Sequence, residues 1–257
     1  MKSLAEISKY SLFSMLGIAI ALTMALKPAC AADNAQDTLL VTGRPTEDIA
    51  RDAQRRPADM LAFAHIKPGQ TVIDYIPGKG YFTRLFSNAV GTQGAVYSVV
   101  PQFLLDKFKD RPRPPSVSLE PGHSNVHDVV STDVSLNVPV KADVVWTSQN
   151  YHDVHIAGGA SAAGRLNKAV FEALKPGGLY IVVDHAAIGP QDDATMARLH
   201  RIEREIVVQE VTAAGFVFEG ESMALSNPAD PHTIPVFDPS IRGKTDQFAL
   251  RFKRPAT

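Results

Sequence analysis

The stretch Thr71–Gly91 constrains the chain most, because it reads as a strand, a turn and a helix in immediate succession. Val72-Ile73-Asp74-Tyr75 is an apolar run too short for a helix, entered through Gly69 and Gln70. Ile76-Pro77-Gly78-Lys79-Gly80 interrupts regular structure. Phe82, Leu85, Phe86 and Ala89 then recur at helical spacing up to Gly91, where a helix-ending glycine belongs. A glycine-rich turn between strand and helix lets backbone approach a ligand and aims free N–H groups at it. Asp74, at the carboxyl end of the strand, falls where open α/β sheets bind ligands. The same glycines also suit a tight connection that binds nothing, so the turn alone leaves both readings open.

The rest of the chain repeats the alternation. Thr46 is placed to cap a helix carrying Glu47 and Asp48 in its first turn, broken at Arg55-Arg56-Pro57, with a further turn or two over Ala58–Ala64. Strands are expected over Ala95–Val100, Ser124–Val130, Ala142–Thr147, Leu179–Val183 and Phe216–Phe218. Gln102–Phe108 reads as a short helix, Arg111–Gly122 as a Pro-rich loop and Ser148–His155 as a polar run. Leu166, Val170 and Leu174 mark a helix over Ser161–Leu174, and Leu199, Ile202, Ile206 and Val211 a longest helix over Thr195–Ala214. Phe248, Leu250 and Phe252 alternate in a closing strand, reached through the proline-stiffened loop Asn227–Lys244. Strands alternating with helices predict a doubly wound, mostly parallel α/β sheet of seven strands, the last joining as an antiparallel strand at one edge. Neither an internal repeat nor a second domain is visible.

Met1–Ala31 carries the marks of an export signal. Lys2 and Lys9 start it, Tyr10–Leu26 is uncharged and apolar, and Ala29-Cys30-Ala31 offers small residues for cleavage. The expected organisation is therefore a leader over residues 1–31 and one domain over 32–257, periplasmic or secreted. The apolar core, at roughly 17 residues, also just suffices for an uncleaved anchor. Cys30 is the only cysteine and lies in the leader, so a processed chain has no thiol for disulfides, metal sites or nucleophilic catalysis. Lipidation of Cys30 is disfavoured, since Lys27-Pro28-Ala29 lacks the apolar residue such sites need three places upstream. A net charge of -1 provides no electrostatic case for nucleic acid or an anionic membrane surface. Once the leader is gone, no stable membrane insertion is expected.

From roughly Pro57 to Arg254 the sequence resembles the class I methyltransferases, which bind S-adenosylmethionine on a Rossmann-like fold. The resemblance rests on Val72–Gly80 as the cofactor loop, Ser131-Thr132-Asp133 after the third strand and Ala142-Asp143-Val144-Val145 as the fourth. Leu174-Lys175-Pro176-Gly177-Gly178 before the fifth strand is the most specific single match, and Ala213-Ala214-Gly215-Phe216 leads into the sixth. More closely, Asn150-Tyr151-His152-Asp153 and Ile241–Phe248 are similar to segments of a branch of exported predicted methyltransferases. The resemblance implies that Asp74, Gly78 and Gly80 surround the methionine end of the cofactor and that Asp133 approaches its adenine; Asn150, with Tyr151, either contacts the ligand or shapes the loop. The sequence departs from the pattern twice. Ile76 stands where the loop's first glycine is usual, and Val96–Pro101 ends without the carboxylate that holds the ribose. Binding of S-adenosylmethionine is therefore expected to be weaker than is ordinary for the fold.

For the chemistry, His152 is the candidate base and Asp153 its partner, although a loop histidine and a capping aspartate fit the same residues. His152, His155, Asp184 and His185 close two neighbouring strands and offer nitrogen and oxygen donors, yet their spacing matches no metal motif and no metal is expected. Arg242 and Lys244 suit either an anionic substrate or a solvated turn. Three functions remain open: a methyltransferase acting on a small molecule, a ligand-binding protein without catalysis, and a metal-dependent hydrolase. The sequence does not reveal the oligomeric state.

Overall fold

The computed structural model describes residues 40–256. The expected leader over residues 1–31, with Cys30, lies outside the described residues. Among the described residues no helix is long and apolar enough to cross a membrane.

Three short helices come first: α1 (Thr46–Ile49), α2 (Asp52–Arg55) and α3 (Pro57–Phe63). Pro45, not Thr46, precedes α1, and Arg56 takes a left-handed conformation (φ 46°) at the predicted break before Pro57. The central unit is β1 (Thr71–Tyr75) followed by α4 (Tyr81–Val90), and β2 (Ala95–Pro101) leads into α5 (Gln102–Lys107). Then come β3 (Val126–Ser131), β4 (Ala142–Ser148), α6 (Tyr151–Ala173) and β5 (Leu174–His185). α7 (Asp193–Leu199), α8 (Arg204–Ala213), β6 (Val217–Ser222) and β7 (Gln247–Lys253) complete the chain.

The seven strands form one sheet in the order β3-β2-β1-β4-β5-β7-β6. β1 to β5 pair in parallel, while β7 runs antiparallel to both β5 and β6. The predicted sheet is present, with β7 one place inside the edge and β6 outermost. Each face of the sheet has its own core. Ile73, Val145, Tyr180 and Leu250 pack under α6 and α8, and Val72, Val144, Trp146 and Ile181 pack under α3 and α4. Alternation along β1 puts Asp74 on the second face, in register with Ser98 on one side and Trp146 on the other. A carboxyl there is out of place in an apolar layer, and it marks the site.

Two helices differ from expectation. The run Ser148–His155 is not a loop throughout: Tyr151 opens α6, which bends at Gly158-Gly159 (φ 61° at Gly159) before the segment expected from Ser161. The single helix expected over Thr195–Ala214 is divided. His200 turns left-handed (φ 53°), and Ile202 bridges to Ala186, its N–H donating to His185 O at 3.0 Å. Beside it Arg201 is fully buried and forks onto Asp230 at 2.8 and 3.0 Å. A buried guanidinium needs its carboxylate, and that tertiary demand overrides the helical spacing of Leu199, Ile202 and Ile206.

Candidate ligand cleft and histidine cluster

The strand order reverses across β1, with β2 on one side and β4 on the other, so the turns after β1 and β4 flank a crevice. Ile76 leaves β1 in a left-handed conformation (φ 58°), its N–H donating to Val99 O at 2.9 Å. Asn150, at the start of α6, donates from Nδ2 to Ile76 O (3.1 Å) and to Ser148 O (2.6 Å), tying the two turns together. The two glycines of the turn differ. A Cβ on Gly80 (φ 81°) would sit 2.3 Å from Val117 Cγ2, so that glycine makes room for the Pro-rich loop. A Cβ on Gly78 (φ 60°) would meet nothing within 4 Å, which leaves an open cradle. Asp74 accepts from Thr83 Oγ1 at 2.6 Å. Burial pushes its carboxyl up to about 7, against the Thr83 hydrogen bond and the Arg55 charge.

Two cavities meet at Ile76–Lys79. The first, about 510 Å³, lies toward β4 and has polar walls: Arg51, Arg55, Lys79 and Arg242 face it against the single carboxyl of Asp74. Arg55 donates to Gln149 Oε1 at 3.0 Å and lies 4.8 Å over the Tyr81 ring. Burial and the Arg51 charge bring it down to about 10. The second cavity, about 680 Å³, is bounded by Leu104, Leu105 and Phe108 below the Pro-rich loop. The carboxylate on its floor, Asp128, accepts from the Ser116 and Ser118 hydroxyls at 2.5–2.6 Å, which pins that loop. A third hollow, about 630 Å³, opens at the other end of the strands around Lys175, Arg251 and Lys253. It is away from the crevice that this sheet topology supplies for ligands.

Behind the polar cavity stands a cluster of histidines. His152, 2% exposed, sets Nδ1 2.7 Å from Asp184 Oδ1, and its backbone N–H donates to Asp184 Oδ2 at 2.8 Å. Asp184 also accepts the His185 N–H at 2.8 Å, so its oxygens are committed. Burial opposes charge on both partners, but each stabilises the other, raising the His152 pKa and lowering that of Asp184. His152 Nε2 faces His200 Nδ1 at 3.3 Å, and Asp153 spans the two at 3.7 and 3.5 Å. His185 lines the polar cavity, with Nδ1 2.8 Å from Thr245 Oγ1, and burial lowers its pKa to about 4.

Of the residues singled out in the sequence, Asp74, Gly78 and Asn150 share the polar cavity, and Gly80 borders the apolar one. Asp133 lines neither. It is exposed after β3, 3.4 Å from Arg165 Nε. His152 and Asp153 stand behind the cavity wall rather than in it. The set His152, His155, Asp184 and His185 does not converge on one point. His155 turns to Glu210 (2.8 Å) and Asp184 is filled by its hydrogen bonds. The sequence reading missed Arg55, Gln149 and His200. Arg51 and Arg55, one helical turn apart before β1, were a legible signal, whereas nothing local marks His200.

No protein-family model matches the chain, and no curated protein matches it. Solved structures do. A SAM dependent methyltransferase from Aquifex aeolicus superposes with a TM-score of 0.52 at 17% identity, covering 85% of this chain and 98% of that one. The class I methyltransferase fold is present here. The [4+2]-cyclase SpnF matches this methyltransferase fold at a TM-score of 0.55 and 18% identity, over 79% of this chain and 81% of its own. The glycopeptide N-methyltransferase MtfA, complexed with sinefungin, reaches 0.50 at 14% identity, over 79% and 87%. A methyltransferase fold that serves both a cyclase and methyltransferases leaves the chemistry to the site.

Proposed function

We propose that this protein is an S-adenosylmethionine-dependent methyltransferase acting on a small molecule. The observation that carries the reading is the meeting of two unlike cavities at the Gly78 cradle, within the crevice of a methyltransferase fold. One is polar and rich in arginine, the other apolar, and together they suit an elongated ligand with a charged end and a flat base. The residues fit such a ligand. Gly78 leaves space for close backbone approach, Arg55 and Asn150 suit an amino-acid carboxylate, and Leu104, Leu105 and Phe108 suit a nucleobase. When bound, the cofactor supplies an electrophilic methyl carbon. The chain's part is to align the acceptor, exclude water and take a proton where the nucleophile carries one. His185 is the imidazole in the cavity wall, and we assign the proton to it rather than to the enclosed His152.

Titration calorimetry of the purified protein with S-adenosylmethionine tests the reading. Saturable binding is expected, weakened by Arg55→Ala and by Gly78→Val. Without a ribose carboxylate at the end of β2, affinity should lie about one to two decades below that of a site possessing it, since a charged hydrogen bond contributes about 1.5–3 kcal/mol. Absence of heat at millimolar cofactor, in wild type and variants alike, would mean that the fold serves another ligand.

A further inference from the structure

The histidine cluster has a geometry that the methyl-transfer reading does not use. His152 Nε2 and His200 Nδ1 stand 3.3 Å apart, and Asp153 places one carboxylate oxygen 3.7 Å from the first and the other 3.5 Å from the second. Two ligands bound tetrahedrally at about 2.0–2.1 Å lie about 3.3–3.4 Å from each other, so the separation of the two imidazole nitrogens matches one edge of a coordination tetrahedron, with the Asp153 carboxylate beside it. The donor atoms all lie within 4.8 Å of one another. We propose that His152 Nε2, His200 Nδ1 and the Asp153 carboxylate bind one divalent cation of zinc type, leaving the fourth position to water.

Three features of the surroundings support the site. Asp184, wholly buried, accepts from His152 at Nδ1 (2.7 Å), which in the neutral ring leaves the Nε2 lone pair pointing at the cluster. A carboxylate behind a histidine in this way is the usual outer shell of a zinc ligand, where it fixes both tautomer and ring orientation. His200 ends α7 as its left-handed cap residue (φ 53°), and this turn carries its ring to the cluster. Its ring meets Phe237 edge-on, with centroids 4.8 Å apart. The open position is accessible, since the side chains of Asp153 and His200 remain 44% and 29% exposed. Imidazole and carboxylate donors suit zinc better than magnesium or calcium, which prefer oxygen ligands.

Tag-free protein, stripped with chelator and dialysed, is titrated with zinc chloride against a competing chelator, and bound metal is counted by elemental analysis. One equivalent per chain is expected, with a zinc-dependent rise in melting temperature because only the folded chain presents the three donors together. His200→Asn keeps a residue that tolerates the left-handed backbone and should lower affinity at least tenfold, as should Asp153→Asn. Asp184→Asn, which changes no ligand, should lower it about ten- to a hundredfold. Cobalt(II) in place of zinc should show the strong visible absorption of a four-coordinate ion. The proposal is overturned if wild type retains well under one equivalent, as a simple hydrogen-bonded imidazole pair would, or if His200→Asn binds zinc as tightly as wild type. Calorimetry with S-adenosylmethionine on the same preparations reads the other cavity separately, so either result stands without the other.

Discussion

Asp74 is an acid held where an acid is poorly solvated, and its titration should be visible in the stability of the chain. An aspartate in the unfolded chain titrates near 3.9, whereas burial puts this one at about 7 in the folded protein. Below pH 4 both states keep the proton. Between about 4 and 7 only the unfolded chain gives it up, so this group's contribution falls as pH rises and levels off above 7. The full loss is about 4 kcal/mol at 1.36 kcal/mol per pKa unit. Urea unfolding at pH 5 and pH 7.5 should therefore show wild type losing about 2–3 kcal/mol relative to Asp74→Asn. Parallel behaviour of the two proteins would show that Asp74 is already ionised when folded. The glycines give a second comparison. Gly80→Ala meets both a left-handed backbone and Val117 at 2.3 Å, and should cost about 2–4 kcal/mol in chemical denaturation. Gly78→Ala has only the backbone term and should cost about 1–2 kcal/mol. Equal costs would contradict the packing described here. The sequence made Gly78 and Gly80 look alike. What distinguishes them is Val117, far along the chain, which no local pattern discloses.

At the scale of elements, the strands were the legible part. β1, β4 and the body of β5 are runs of apolar residues bounded by turn residues, and buried parallel strands have no other way of being written. The division of α7 from α8 was not legible, because its cause is a partner 29 residues away. Arg201 looks like a polar residue on an ordinary helix until Asp230 reaches it. Removing one partner strands a buried charge, so Asp230→Ala should destabilise the fold by about 3–5 kcal/mol. The paired replacement Arg201→Met with Asp230→Leu should recover only part of that loss, since apolar packing can substitute for the ion pair but not for the acceptors of the His232 and Asp246 backbone N–H groups. Melting curves of the single and double variants check this, and a double variant no better than the single would point to a role for the charges beyond filling space. The histidine cluster depends on the same junction, because the turn after α7 is what delivers His200. Its components were visible in sequence as His152 and Asp153, but the third member was hidden inside an apparently continuous helix.

Over the whole molecule, the sheet brings residues distant in sequence into one layer, and one of them is optically unique. Trp146 is the only tryptophan in the chain and has no exposed surface. Its ring lies 4.6 Å from Phe82 and 5.5 Å from Phe86, and its backbone is in register with Asp74 on the adjoining strand. Phe82 itself lines the polar cavity. A single indole at the centre of the sheet therefore emits from one environment, without the overlapping signals of proteins that carry several. Its native emission should lie toward the blue and shift red when the layer opens to water. Because one neighbouring ring forms part of the cavity wall and one neighbouring strand bears Asp74, that emission should respond both to a ligand entering the cavity and to proton loss at Asp74. The fold has thus placed its own fluorophore between its polar cleft and its core.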